Sequence, residues 1–224
     1  MTDKAFDRIQ RLNILKSMCF SDNVLYNWTF EADTGRNPNM AKARAYADKW
    51  SDMLSQNIGL LLWGEVGTGK SFFAACIANS LIEQCVSVKM TNFSSILNDL
   101  FYEGDKNLYI DRLNNHSLLI IDDLGIERDT EYALEQVYNI IDARYKSNKP
   151  LIVTTNLSIT ELKNPTDTAH KRIYDRVLEM CVPIKFVGEN FRAEKAAYKR
   201  ETAKKRVRNR NCSWIFCDKN STKC

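Results

Sequence analysis

Short uninterrupted apolar runs alternate along the chain with stretches whose apolar residues recur every three or four positions. Ile58-Gly59-Leu60-Leu61-Leu62-Trp63, Leu118-Leu119-Ile120-Ile121 and Leu151-Ile152-Val153-Thr154-Thr155 are runs of the first kind. A strand covered by helices on both faces has no polar side, so these runs predict central strands of a parallel sheet. Val86–Met90 and Val182–Phe186 read as shorter strands. Helical spacing marks residues 71–82 (Phe72, Ala75, Cys76, Ala78, Leu81) and residues 130–146 (Leu134, Val137, Ile140, Ile141, Tyr145). Residues 91–101 form a further helix, with Thr91 or Asn92 as its N-cap, and 167–179 another. Near the N-terminus, Phe6, Ile9, Leu12 and Leu15 give 3–17 a helical face, and a less regular stretch runs to Phe30. The turn residues of Asp33–Asn39 predict a loop, and Ala41, Ala45, Ala47, Trp50 and Leu54 predict one helix over 40–55. A polar, basic helix is expected from Ala193 to about Arg208. Strands alternate with helices throughout, so the expected class is α/β, a parallel sheet with helices on both faces.

Composition narrows this only in part. The 224 residues are 44% hydrophobic and 27% charged, enough apolar material for one α/β domain. The polar start, Met1 to Asp7, and the lack of any apolar stretch of about 18 residues argue against a signal peptide or a membrane span. Seven cysteines are present, an odd number, and Cys76 and Cys85 fall in apolar patterns as buried reduced thiols do, so a cytoplasmic location is expected. Cys19 stands alone, and Cys212, Cys217 and Cys224 lack both a C-x-x-C pair and a nearby histidine, which favours free thiols over a zinc site. The net charge of +4 is mild. Its distribution is not: Lys195, Lys199, Arg200, Lys204, Lys205, Arg206, Arg208 and Arg210 face only Glu201. Such a cluster suits nucleic-acid phosphates, or simply a solvated helix face. Residues 211–224 show no periodicity.

The candidate chemistry lies at the strand ends. Gly64-Glu65-Val66-Gly67-Thr68-Gly69-Lys70-Ser71 follows the first buried run and opens a helix. That is the phosphate-loop pattern in the context it requires. Glycines let successive main-chain N–H groups converge on phosphate oxygens, the helix N-terminus adds positive potential, Lys70 supplies a full charge, and Ser71 offers a hydroxyl to Mg²⁺. Phe72 follows directly and belongs to the same candidate nucleotide-binding segment. Four apolar residues then lead into Asp122-Asp123. A carboxylate at that strand tip is placed to hold Mg²⁺ (Asp122) and its neighbour to position a water (Asp123). The next strand ends in Thr154-Thr155-Asn156, which makes Asn156 a candidate sensor of the outermost phosphate.

Together these motifs resemble the bacterial AAA+ helicase loaders of the DnaC/DnaI type and their IstB-like transposition relatives. The markers are Thr29-Phe30-Glu31, the segment Gly59–Ser71, Leu119–Gly125, Val153–Ser158, Arg172-Ile173-Tyr174-Asp175-Arg176-Val177 and Gly188-Glu189-Asn190-Phe191-Arg192, over roughly residues 10–200. The resemblance implies an AAA+ P-loop NTPase fold with a five-stranded parallel sheet and little or no lid. It divides the chain into an N-terminal helical extension (1–38), an ATPase core (39–192) and a basic tail (193–224). It assigns Arg176 as an arginine finger reaching the γ-phosphate in a neighbouring subunit, which requires a homo-oligomer, and Arg192 as a second sensor. It also assigns Phe101, Thr130 and Tyr132 to single-stranded DNA. Phe101 fits an anchor of its own helix in the core equally well, and the alternative for Arg176 and Arg192 alike is a surface ion pair, with Asp175 and Glu189 as available partners. Loaders carry a larger N-terminal domain, often with zinc-ligand cysteines, than the short segment before Thr29 here.

The expected function is therefore ATP-dependent loading of a replicative hexameric helicase onto single-stranded DNA, with slow ATP hydrolysis and no membrane partner. A transposase-partnered ATPase and a nucleotide-gated interaction module with little hydrolysis are the alternatives.

Overall fold

The computed structural model describes residues 3–125 and 130–208. Arg210 and the tail cysteines Cys212, Cys217 and Cys224 lie outside them. Two units are described separately: one up to Gly188, and a second from Glu189 onward whose described residues hold one helix.

Five strands form one parallel sheet: β1 (Gly59–Gly64), β2 (Val88–Asn92), β3 (Leu118–Leu124), β4 (Leu151–Thr155) and β5 (Cys181–Phe186). Their order is β2-β3-β4-β1-β5, so β4 lies between the strand that leads into the phosphate loop and the strand that carries the acidic pair. The helices are α1 (Asp3–Cys19), α2 (Met40–Asp48), α3 (Trp50–Ser55), α4 (Lys70–Glu83), α5 (Phe93–Tyr102), α6 (Lys106–Asn115), α7 (Glu131–Lys146), α8 (Ile159–Lys163), α9 (Thr168–Met180) and, in the second unit, α10 (Phe191–Arg208). Short 3-10 turns cover Asn23–Asn27 and Phe30–Ala32.

Side chains alternate across each strand, so the sheet separates two cores. Leu60, Leu62, Ile120 and Ile152 face a layer built by α1, α2 and α4, whose Ala74, Ala75, Ile77 and Ala78 are fully buried. Leu61, Leu119, Ile121 and Val153 face α5, α6, α7 and α9. Small residues on α4 allow it to lie close on the sheet. At the end of β1, Gly64 has φ 135°, and a Cβ there would lie 2.1 Å from the Phe186 carbonyl oxygen of neighbouring β5. Only glycine fits this strand end.

Three readings of the sequence need correction. Residues 40–55 form two helices instead of one, broken at Lys49, which caps both. Cys85 is exposed instead of buried, because it lies just past the end of α4 at φ 60°, where the chain turns back. Phe101 does not anchor α5; Phe93, Ile96 and Leu100 do, and Phe101 is 74% exposed.

The buried cysteines are held as neutral thiols. Burial pushes Cys19 and Cys76 up to about 12, and raises Cys181 as well. A raised thiol pKa removes the thiolate that attacks alkylating agents, so at pH 8 these three stay unreactive. Iodoacetamide should label Cys85, but Cys19, Cys76 and Cys181 only after denaturant is added; peptide mass spectrometry checks this.

Candidate nucleotide site

The loop between β1 and α4 is shaped by left-handed glycines, with Gly67 at φ 82° and Gly69, the N-cap of α4, at φ 94°. Thr68 is buried and its hydroxyl donates to the Glu65 carbonyl at 2.8 Å, pinning the loop from inside, while Glu65 and Val66 face outward. Phe72 turns away from the loop and packs its ring against Trp28, 5.9 Å between centroids.

Lys70 is buried at the head of α4. Its Nζ donates to the Gly64 carbonyl (2.8 Å), the Glu65 carbonyl (2.7 Å) and Asn156 Oδ1 (2.9 Å). The last contact ties the loop to the residue just after β4. Ser71 Oγ donates to Asp122 Oδ1 at 2.9 Å, tying the same helix to β3. Residues from three strand ends thus meet at one helix N-terminus.

The acidic pair is seated by a feature the apolar pattern does not reveal. Ile121 pairs with Val153, but Leu124 pairs with Thr155, so β3 carries one extra residue opposite β4. Such a bulge re-aims side chains where a ladder must end at a site. Asp123 absorbs it at φ 61°, and its N–H donates to Thr154 Oγ1 at 2.9 Å. The fully buried Thr154 hydroxyl donates in turn to Asp122 Oδ1 at 2.5 Å. Thr154 therefore orients Asp122 and fixes the Asp123 backbone together. It was visible only as an apolar-run threonine.

The residues present fit a magnesium nucleotide. The loop offers main-chain amides at an α-helix N-terminus, the donors that bind phosphate oxygens. Ser71 and Asp122, already within hydrogen-bond distance, form the hard oxygen pair that suits Mg²⁺, an ion that keeps several waters and takes few protein ligands. No cluster of three or more His, Cys, Asp or Glu side chains suited to a metal occurs among the described residues.

The other sequence-derived candidates belong to other elements. Arg176, on α9, is in an ion pair with Asp142 of α7 at 2.6 Å, a partner the sequence did not suggest. Arg192 sits in the first turn of α10 in the second unit. Thr130 is the N-cap of α7, its hydroxyl accepting from the Ala133 N–H at 3.2 Å. Tyr132 is 38% exposed with Lys106 Nζ 4.6 Å above its ring. Phe101 meets Tyr102, itself 79% exposed, edge-on at 5.3 Å. Tyr102 beside Phe101 and Lys106 above Tyr132 are exposed neighbours of these candidates that spacing does not bring out.

Comparison with known proteins agrees with this architecture. The replicative helicase loader DnaC of Escherichia coli (strain K12) is 26% identical over 156 residues, 67% of this chain and 61% of DnaC. The replicative helicase loader DnaI of Bacillus subtilis (strain 168) is 25% identical over 195 residues, 80% of this chain and 63% of DnaI. The chain thus spans about three fifths of the length of these relatives. The crystal structure of a DnaI superposes with a TM-score of 0.64 at 22% identity, covering 79% of this chain and 98% of that one, a likeness of fold. The parallel sheet, its flanking helices and the phosphate loop at the end of β1 belong to the fold shared with that structure. A family model described as IstB-like ATP binding protein matches residues 5–199, and the chain belongs to that family.

Proposed function

We propose that the chain is an ATPase that loads a replicative hexameric helicase onto single-stranded DNA. The observation that carries the nucleotide half of this reading is the convergence of Lys70, Ser71, Asp122 and Asn156 through hydrogen bonds of 2.9 Å. The loader half is supported by the DnaC and DnaI relatives. In this reading the amides of Gly64 to Ser71 receive the phosphates, and Lys70 exchanges its carbonyl partners for the outer phosphates. Ser71 and Asp122 would hold Mg²⁺, which when bound would supply positive charge against the phosphoryl oxygens. Asp123 positions the attacking water and Asn156 reports the outermost phosphate to Lys70. Arg176 completes the site of a neighbouring copy, so that slow hydrolysis depends on a homo-oligomer, and Arg192 acts as the second sensor. The protein would work in the cytoplasm; no helix among the described residues is long and apolar enough to cross a membrane.

Single-stranded DNA is assigned to the surface formed by Phe101, Tyr102, Thr130, Tyr132 and Lys106. Exposed rings give bases a stacking platform, and Lys106 gives the backbone a cation. Phe101→Ala is expected to weaken oligo(dT) binding by about 1–3 kcal/mol, with Phe101→Tyr close to wild type. Fluorescence anisotropy of a labelled oligonucleotide measures both.

The test of the whole reading is reconstitution of the full chain with its host's replicative helicase and circular single-stranded DNA. Helicase transfer to the circle that needs both ATP and this protein is the expected result. Capture of a transposase in place of a helicase would move the assignment to the transposition alternative, and ATP binding with no transfer and no turnover to the nucleotide-gated module.

A further inference from the structure

Arg176 is not displayed for a neighbour; it is stowed. α7 presents Tyr138, Asp142 and Tyr145 at helical spacing on the face that packs α9. The Arg176 guanidinium lies 4.6 Å from the Tyr138 ring centre and 5.7 Å from that of Tyr145, with Nη2 against Asp142 Oδ1. Only 25% of its side chain is exposed. Aromatic faces and a carboxylate both attract a guanidinium, and both do so more strongly out of water.

Two details make this a holding position instead of a permanent structural bond. Nη1 of Arg176 is buried without a hydrogen-bond partner among the described protein atoms, so the stowed guanidinium is incompletely satisfied. Asp142 has a second cation, Lys146 Nζ at 2.8 Å from Oδ2, so it keeps a charge partner when Arg176 departs. The α7–α9 frame does not depend on Arg176 alone either, since Tyr145 Oη donates to Glu179 Oε1 of α9 at 2.8 Å.

We propose that Asp142 is a latch that holds Arg176 inside its own subunit until the phosphates of an adjoining copy's nucleotide compete it away, which couples ATP turnover to assembly. This rests on the reading of Arg176 as a trans-acting finger. Asp142 is then a positioning residue with a defined sign: removing its charge should speed turnover, where loss of a merely structural ion pair should slow it or leave it unchanged.

Two measurements on the full chain test this. Without nucleotide, phenylglyoxal labelling read by peptide mass spectrometry should find Arg176 protected relative to Arg172, which is exposed on the same helix. Asp142→Asn should bring Arg176 labelling several-fold closer to that of Arg172. With Mg-ATP and oligo(dT), Asp142→Asn should raise turnover several-fold, Arg176→Ala should abolish it, and the double variant should match Arg176→Ala. Tyr138→Leu, which removes one wall of the enclosure and no charge, should shift labelling and turnover in the same direction and serves if Asp142→Asn does not fold. Arg176 labelled as fast as Arg172 in the wild type overturns the stowed state. Turnover lost in Arg176→Ala but unchanged or slower in both latch variants overturns the latch and leaves the finger standing. Turnover unaffected by Arg176→Ala, or absent in every variant, removes the finger reading and the latch with it.

Discussion

Lys70→Ala is expected to lower ATP affinity by about a hundredfold or more, while the nucleotide-free protein stays folded. A charge-assisted hydrogen bond contributes about 1.5–3 kcal/mol, and an ammonium on outer phosphates makes more than one. Every 1.4 kcal/mol is about a factor of ten in affinity, so the loss exceeds what any single neutral contact in the loop would give. The Gly64 and Glu65 carbonyls and Asn156 Oδ1, which accept from Nζ, are left without that donor in the variant. They border the loop, where water can replace an ammonium, so the stability cost should be small. Titration with a fluorescent ATP analogue, beside a thermal melt without nucleotide, separates the two effects. Undiminished ATP affinity in a folded Lys70→Ala protein would remove the phosphate-loop assignment and the loader reading with it.

The sequence carried this site well because its parts are local. Gly64 to Ser71 is contiguous, the apolar bodies of β3 and β4 announce the strands whose tips adjoin it, and β4 spans the very residues its apolar run marks, Leu151–Thr155. What lay out of reach depends on residues distant in the chain. The bulge at Asp122–Asp123 exists only as a register between β3 and β4. Thr154 becomes part of the site through that same register, its hydroxyl shared between Asp122 and the Asp123 N–H. The enclosure of Arg176 needs α7 and α9 packed together. Short elements were also hidden. α6 buries only Ile110 and Leu113, too few positions to set a period, and α8 is a five-residue helix announced by a capping box of Ser158 and Glu161 rather than by apolar spacing. The face of α5 that carries Phe101 could not be chosen from periodicity alone, since an aromatic at a helix end fits either a core or a binding surface.

Arg144→Ala should be the most damaging single change to the fold away from the nucleotide site, by about 3–5 kcal/mol, the sum of two carbonyls that lose their donor and of the cavity left by a large buried side chain. Arg144 is fully buried on α7, and burial pulls its guanidinium down to about 10, which leaves it charged at neutral pH. Its hydrogen-bond partners among the described residues are main-chain carbonyls: Pro150 through Nε (3.2 Å) and Nη2 (2.5 Å), His116 (2.9 Å), Ser117 (3.0 Å) and, more weakly, Asn114 (3.5 Å). The side chain thus gathers the chain just before β3 and just before β4, the two strands whose tips supply Asp122 and Asn156. Truncation takes the guanidinium donor from the His116 and Ser117 carbonyls and leaves a cavity between the two loops, while Pro150 keeps the Leu119 N–H (3.4 Å) and Asn114 keeps Lys149 Nζ (2.8 Å); each unsatisfied group costs about 1–3 kcal/mol. Arg144→Lys should recover only part, because an ammonium is a point charge that cannot match the forked spacing of these oxygens. For a chain of this size about 1 kcal/mol lowers the melting temperature by about 2–4 °C, so Arg144→Ala should melt about 10 °C lower than wild type, with Arg144→Lys between them. Nucleotide affinity of the folded fraction, measured well below the melt, should fall much less than in Lys70→Ala, since no atom of Arg144 reaches the phosphate loop. If Arg144→Ala melts with the wild type, those carbonyls have found water, and the strand bases are held by the sheet alone.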